Sequence, residues 1–525
     1  MPDVKEGSII DISYTIKSDF ISNLQPWEFQ QEYPVLWSEY EVGIPEFYKY
    51  VLLGQGRMKY VVDKSDLSRS TFHYAVGGNS TQRTESGTFE AIVDTHRWVI
   101  KDVPALKEES FTTTLSNHIQ KMEFQLSAVQ FPGGIYQDRL GNWSTVSEKY
   151  LADEQFGLPI SRGNGWLDDD IKQIVKGATS KTESAIKIFR FVRDNFTSTG
   201  FGTFLSEPNN LKDVFKKKNG NVADINMLLI AMLRHEKIGA DPVILSTRRN
   251  GVIHPIYPLM DRFNYLVCEV TVDSAMYYLD ASVPRLGFGR LPPYCYNGNA
   301  RVISKPPEKT VFDPESLKES KITTVFIGND EKDGVVGSYT STLGYNESYS
   351  LREKLAKMKL EDYFKDITKG AAAELKFSNP GIDSLRMYDE PVSLRYDMKL
   401  GFGTDDVVYF NPMLNDAMKE NPFKSAQRLY PIEMPYVADD TYIFNMEVPT
   451  GYKVDELPKS ARVKLNEDQG MFEYIILNSG NNIQFRCRLT LNKANYQMED
   501  YQTLRDFFTY VVKKEQEQIV FKKAK

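Results

Sequence analysis

The stretch "GNVADINMLLIAMLRHEKIGADPVILSTR", residues Gly220–Arg248, decides the fold. Gly220 and Asn221 interrupt the chain just before apolar residues recur at helical spacing, so the sequence predicts a helix that begins near Val222. The apolar face of this helix is wide, which predicts a largely buried helix, and it comprises Val222, Ile225, Leu228, Leu229, Met232 and Leu233. The segment "ADPVILSTR" that follows Gly239 predicts a strand.

The surrounding segments extend this unit in both directions. Upstream, "TSKTESAIKIFRFVRDNF" predicts an amphipathic helix in which Ser180 and Glu183 have capping-box spacing. Downstream, "FNYLVCEV" and "AMYYLDAS" predict two strands that are joined by a short turn. Helices followed by an antiparallel run of strands indicate an α+β domain.

The length of 525 residues predicts about three domains. Residues 1–155 are predicted to be β-rich and to include a strand at 9–16, and this first domain is expected to be truncated at its start. The α+β core is assigned to residues 156–315. Residues 316–525 are again β-rich and are expected to close with a helix near 499–520. The prediction is thus an α+β multidomain protein whose core lies between N-terminal and C-terminal β-sandwich-like domains.

Composition excludes several classes of function. The net charge of −7 lacks the basic excess that nucleic-acid binding requires, so no nucleic-acid partner is predicted. Three cysteines form no disulfide framework, no C-x-x-C occurs, and no second histidine follows His235 at metalloprotease spacing, so neither a metal nor a cofactor is predicted. No apolar run reaches the roughly 20 residues of a transmembrane helix, and the first residues do not form a signal peptide.

The core resembles a transglutaminase-like domain in five features that recur in order. They are Gly220–Asp224 for the family's G-x-C-x-D, then "MLR", "IGADPV", "FNYLV" where the histidine strand belongs, and "LDAS" at the end of the next strand. Enzymes of this family carry a Cys, His and Asp triad, in which a helix N-terminus favours the thiolate and the histidine moves protons. The resemblance implies that the papain-like α+β fold of this family forms the core.

Carried over residue by residue, the resemblance places Val222 at the cysteine position, Asn264 at the histidine position and Asp280 at the aspartate position. Valine has no nucleophilic atom, and asparagine does not titrate near neutral pH. Loss of one member of a triad that acts as a unit already removes most of the rate. The sequence therefore predicts a transglutaminase-like protein without the usual catalysis.

The wider chain resembles a bacterial group in which this core lies between two β-rich domains of unknown function. The resemblance rests on "VKEGSIIDISYTI", "WSEYEVGIPEFYKYV" and "ADINMLLIAMLR". It implies a periplasmic or cell-surface protein of the cell envelope that binds a peptide, a glycan or a protein partner.

Two other interpretations stay open. One is an active cysteine hydrolase or peptidase with a rearranged site, for which Cys295 and His254 are the candidate nucleophile and base. Cys268 and Cys487 alternate with polar residues in predicted strands and are expected to be core residues. The other interpretation is a structural or assembly module in which the core serves as a spacer.

Overall fold

The computed structural model describes residues 24–76, 85–207, 210–331, 334–368, 375–401 and 405–524. The chain divides into two compact units, one formed by residues 1–107 with 117–141 and the other by residues 108–116 with 142–525. The strand predicted at 9–16 lies outside the described residues. The boundaries at 155 and 315 stay a prediction.

The described part of the first unit consists of two antiparallel sheets that contribute to one apolar core. One sheet contains Trp27–Glu28, Lys121–Val129, Tyr48–Gln55 and Gln137–Asp138, and the other contains Val35–Pro45, Glu85–Val103 and Val62–Val76. Apolar residues from both sheets, such as Ile44, Trp98 and Phe124, pack in the shared core. The N-terminal region is therefore β-rich, as predicted.

The α+β core lies in the second unit and is built on a five-stranded antiparallel sheet. In spatial order its strands are Ala275–Leu279, Tyr265–Val272, Gly239–Leu245, Gly298–Val302 and Glu308–Phe312. The helices that precede or accompany this sheet are Trp143–Leu151, Gly157–Ser161, Asp168–Ile174, Lys181–Asn195, Leu211–Lys217 and Val222–His235. This arrangement confirms the predicted α+β class.

The helix Val222–His235 is the centre of this core. Every residue from Val222 to Leu233 is buried, which confirms the wide apolar face predicted from the sequence. The predicted cap of the preceding helix is also present, because the Ser180 hydroxyl oxygen accepts a hydrogen bond from the Glu183 amide at 3.1 Å.

The C-terminal part of the second unit contains an eight-stranded sheet. In spatial order the strands are Leu375–Asp383, Ser393–Leu400, Val335–Thr342, Lys318–Asn329, Val437–Glu447, Asn482–Leu491, Gly470–Ser479 and Ala461–Leu465. Only the pair formed by Lys318–Asn329 and Val437–Glu447 is parallel among the described strands of this sheet. One face of the sheet packs into the largest apolar core of the described residues, and the other face is more exposed.

Helices cover part of the buried face and differ in detail from the prediction. The closing helix spans Tyr501–Glu515, ends earlier than predicted and is followed by the strand Ile519–Lys523. Where one helix was expected near 350–368, two helices form, Tyr345–Leu355 and Leu360–Thr368. The short strands Val407–Phe410 and Tyr452–Glu456 both pair with Ile519–Lys523. Two further pairs of short strands are Ile432–Glu433 with Asn495–Tyr496, and Thr197–Ser198 with Asn219–Gly220.

Candidate functional site

The N-terminus of the helix Val222–His235 is fixed by a reciprocal cap. The Asn221 side chain accepts from the Asp224 amide at 2.8 Å, and the Asp224 carboxylate accepts from the Asn221 amide at 2.9 Å. A second oxygen of Asp224 accepts from the Ser206 hydroxyl at 2.6 Å. Burial raises the pKa of Asp224, while these hydrogen bonds act in the opposite direction. The helix start is thus held rigidly whatever residue stands at the first helical position.

Val222 occupies that first position and is enclosed by apolar side chains. Only 4% of its surface is exposed, and it belongs to a buried cluster with Val243, Leu245, Tyr265, Val267, Leu291, Cys295, Ala300, Val302 and Phe312. In a cysteine enzyme this spot benefits from the positive end of the helix dipole. Here the dipole meets a hydrocarbon side chain, which cannot ionise.

Asp280 lies at the end of the strand Ala275–Leu279 and is completely buried. One carboxylate oxygen accepts from the side-chain amide of Asn226 at 2.9 Å. The same oxygen accepts from the hydroxyl of Ser282 at 2.5 Å and from its backbone amide at 3.0 Å. The other oxygen accepts from the Tyr265 hydroxyl at 2.7 Å. Burial raises the pKa of Asp280, and the hydrogen bonds from Ser282, Asn226 and Tyr265 counter that effect. The carboxylate therefore joins the central helix, two strands and the loop that follows them.

Tyr265 is the aromatic partner of this carboxylate. Its hydroxyl also lies 3.0 Å from the hydroxyl of Tyr294, whose side chain is partly exposed. Because Tyr265 has one hydroxyl proton and donates it to Asp280, Tyr294 is the donor in the second hydrogen bond. Burial and the neighbouring Asp280 charge raise the pKa of Tyr265 well above its ordinary value. This phenol is a hydrogen-bond donor at neutral pH and not a proton acceptor for catalysis.

Asn264 is directed to a different partner. Its side-chain oxygen accepts from the Thr247 amide at 2.9 Å, and its side-chain nitrogen donates to the Thr247 hydroxyl at 3.0 Å. Asn264 immediately precedes the strand Tyr265–Val272, so alternation places its side chain on the opposite face from that of Tyr265. The structure brings Asp280 together with Tyr265, whereas Asn264 fastens the loop after the strand Gly239–Leu245.

Tyr265, and not Asn264, thus makes the contact with Asp280 that is expected of the residue at the histidine position. The assignment of Asn264 to the histidine position stays a prediction. Tyr265 is not among the positions that the family spacing predicts. The two-residue period of a strand could have identified Tyr265 from the sequence. Because neighbouring residues of a strand face opposite ways, only one of Asn264 and Tyr265 can face Asp280.

The three cysteines are buried, with exposed fractions of 0% for Cys268, 1% for Cys295 and 3% for Cys487. Burial raises the pKa of each thiol above its ordinary value. Cys295 lies in the same apolar cluster as Val222, and the Asp280 carboxylate raises its pKa further. None of the three thiols has the accessible, electropositive surroundings that activate a cysteine nucleophile.

The two histidines considered from the sequence have local partners. The Nδ1 atom of His254 accepts from the backbone amides of Ile256 and Tyr257 at 3.2 and 3.0 Å. Burial and the charge of Arg262 lower the pKa of His254. His235 lies at the end of the central helix, with its Nε2 atom 2.6 Å from a carboxylate oxygen of Asp168. These contacts give no support to a pair formed by Cys295 and His254.

The described ranges contain neither a cluster of metal-binding side chains nor a helix suited to crossing a membrane. No group of three or more His, Cys, Asp or Glu side chains there is arranged to hold a metal ion. In the same part of the chain, no helix combines the length and the hydropathy that a membrane span requires.

Comparison with known families places two domains on this chain. Residues 170–275 match the Transglutaminase-like superfamily, and residues 406–521 match DUF3858, a domain of unknown function with a solved structure. A crystal structure from Parabacteroides distasonis, described as a candidate protease, is 12% identical, covers 95% of this chain and 74% of its own, and has a TM-score of 0.49. A candidate cysteine protease from Cytophaga hutchinsonii is 10% identical, covers 47% and 79% respectively, and has a TM-score of 0.19. No curated protein matches the chain.

Proposed function

We propose, from the transglutaminase-like domain at residues 170–275, that this protein is a non-catalytic binding protein of a bacterial cell envelope. The observation that carries the proposal is the buried Val222 at the start of the central helix, the position that the sequence resemblance aligns with the family's reactive cysteine. The partner is a peptide, a glycan or another protein. The envelope location rests on the resemblance of the wider sequence to a bacterial exported group.

The chemistry of the site supports the loss of catalysis. Acyl transfer needs an atom that attacks the carbonyl carbon and a base that takes up and returns a proton. Val222 supplies no lone pair, and the Tyr265 phenol already donates its proton to Asp280. The three cysteines are buried and their thiol pKa values are raised, so none of them replaces the missing nucleophile.

The surviving Asp280 then has a structural role. Its hydrogen bonds tie Asn226 on the central helix to Tyr265 on one strand and to Ser282 in the following loop. A buried carboxylate with several donors stabilises the arrangement of the elements that supply those donors. The core is thereby preserved as a rigid scaffold after the reactive groups have been replaced.

An activity assay with a thiol inhibitor tests the proposal. The full chain is incubated with a glutamine-containing casein and a fluorescent primary amine, and separately with peptide substrates for hydrolysis, with and without iodoacetamide. We expect no amine incorporation and no hydrolysis above the buffer control, because no activated nucleophile is present. Turnover that iodoacetamide abolishes, and that Cys295→Ser also abolishes, would instead establish the cysteine hydrolase.

A further inference from the structure

The exposed face of the eight-stranded sheet carries a large groove. Its volume is about 920 Å³, and its lining residues come from several neighbouring strands of the sheet. Clefts that hold small molecules and cofactors are typically about 300–1,000 Å³, so this groove is at the upper end of the range. The opposite face of the same strands packs into the apolar core, so the groove has a rigid floor.

One row of side chains crosses the strands of this groove. Strand register places Ser378 opposite Asp397, Asp397 opposite Ser338, and Ser338 opposite Phe326. The row continues from Phe326 to Asn445 and from Asn445 to Gln484. Since neighbouring strands lie about 4.8 Å apart, these six positions span roughly 24 Å. The groove therefore suits an extended chain that lies across the strands.

The groove combines one exposed aromatic ring with neutral amides. The side chain of Phe326 is 54% exposed, because the residues opposite it on the two neighbouring strands, Ser338 and Asn445, are small or polar. Within the described ranges, no intramolecular hydrogen bond engages the side chains of Asn445, Gln484 and Asn482, which line the groove beside it. These amides can both donate to and accept from a ligand.

The charged groups of the groove are already engaged by the protein. Asp397 accepts from the side chain of Asn379 at 2.8 Å, and Glu447 accepts from the Asn329 amide at 3.1 Å. Lys399 lies 3.7 Å from a carboxylate oxygen of Asp330. Asp397 and Glu447 keep their negative charge, because their donors are neutral N–H groups, so the groove disfavours an anionic ligand. The neutral amides beside Phe326 offer hydrogen bonds to an uncharged ligand.

We propose that this groove, centred on Phe326, Asn445 and Gln484, binds an extended neutral oligosaccharide. A pyranose ring offers a C–H face to the Phe326 ring and hydroxyl groups to the amides, which match both halves of the lining. A peptide strand would gain its main-chain hydrogen bonds at a sheet edge, whereas these residues lie on the face of the sheet. The inference rests on the binding role in the proposed function and gives that role a place and a ligand class.

Calorimetric titration of the full chain with cellohexaose, xylohexaose and chitohexaose tests the inference, with hexagalacturonate as the charged comparison. We expect at least one neutral hexasaccharide to bind and hexagalacturonate not to bind. Phe326→Ala should weaken binding about tenfold, since a central aromatic contact is a typical hot spot. The double change Asn445→Ala with Gln484→Ala should weaken it by a similar factor.

Ile322→Ala is the matched control, because Ile322 lies on the same strand and face, is 51% exposed and does not line the groove. This variant should bind as the unchanged protein does. Failure of all three neutral sugars to bind, preference for hexagalacturonate, or a loss in Phe326→Ala no larger than that in Ile322→Ala would overturn the inference. Each of these results leaves the proposed lack of catalysis untouched, because catalysis is measured separately by amine incorporation and peptide hydrolysis.

Discussion

Asp280→Ala is expected to lower the free energy of unfolding by about 4 kcal/mol, because buried donors would lose their acceptor. The substitution removes the partner of the Tyr265 hydroxyl and of both Ser282 donors, and it leaves Asn226 with one hydrogen bond fewer. These groups lie in a region with little access to water. Urea denaturation at neutral pH measures the change.

Two further variants distinguish this structural role from a general sensitivity of the core. Asp280→Asn keeps the shape of the side chain and one acceptor oxygen, so its cost should be smaller, about 1–2 kcal/mol. Asp261→Ala removes an exposed carboxylate from the same core and should change the stability by less than about 0.5 kcal/mol. An Asp280→Ala protein as stable as the Asp261→Ala protein would contradict the role assigned to Asp280.

The second large effect concerns Glu515, at the C-terminal end of the closing helix. One carboxylate oxygen accepts from the Met418 amide at 2.7 Å, and the other lies 3.8 Å from the Cys487 sulfur. A cavity of about 220 Å³ is lined by Glu515, Asp416 and Asp440, with Lys321 as the cation in its lining. Burial raises the pKa of Glu515 to about 7 and the pKa of Asp440 to about 6.

The sign of the pH dependence follows from these pKa values. The folded protein binds the Glu515 proton more tightly than the unfolded chain, whose pKa is near 4.5. The contribution of this group to stability is therefore fully present below pH 4.5 and is lost as the pH rises through about 7. Glu515→Gln should raise the free energy of unfolding at pH 8 by about 2 kcal/mol and change it little at pH 5.

Urea denaturation between pH 5 and pH 8 checks this expectation. Acidification from pH 8 to pH 5 should raise the free energy of unfolding less in the Glu515→Gln protein than in the unchanged protein. Glu499→Gln, at an exposed position just before the same helix, serves as the control and should leave the pH dependence unchanged. A Glu515→Gln protein with an unaltered pH profile would show that this carboxylate stays ionised throughout the range.

The sequence predicted the scaffold of the core because the scaffold is encoded locally. Gly220, Asn221 and Asp224 mark the start of the central helix, and its wide apolar face identifies it as buried. Asp280 follows a short strand whose alternation is visible in the sequence. Each of these features depends on residues within a few positions of one another, so the chain order of helix and strands could be read directly.

The partner of Asp280 could not be read in the same way. It depends on whether Asn264 or Tyr265 turns toward the carboxylate, and a shift of one residue in a strand reverses every side chain. The register is set by pairing with the strands Gly239–Leu245 and Ala275–Leu279, which a spacing comparison does not contain.

The groove and the acidic cavity were also beyond the sequence. Phe326, Asn445 and Gln484 come from three strands that are far apart along the chain and become neighbours only through the sheet order. Glu515 and Asp440 likewise come from a helix and a strand that meet only in the folded core. Non-local register, rather than residue type, decides both features.

The most direct test of the account is the pKa of a thiol introduced by Val222→Cys. This pKa is measured from the ultraviolet absorbance of the thiolate, with the unchanged protein as the reference. The pKa is measured with Val222→Cys alone, with Val222→Cys and Tyr265→His, and with Val222→Cys and Asn264→His. A neighbouring imidazolium and a helix N-terminus both stabilise a thiolate. We expect Tyr265→His to lower the thiol pKa by at least about one unit and Asn264→His to leave it unchanged. A lowered pKa with Asn264→His and no effect of Tyr265→His would contradict the account.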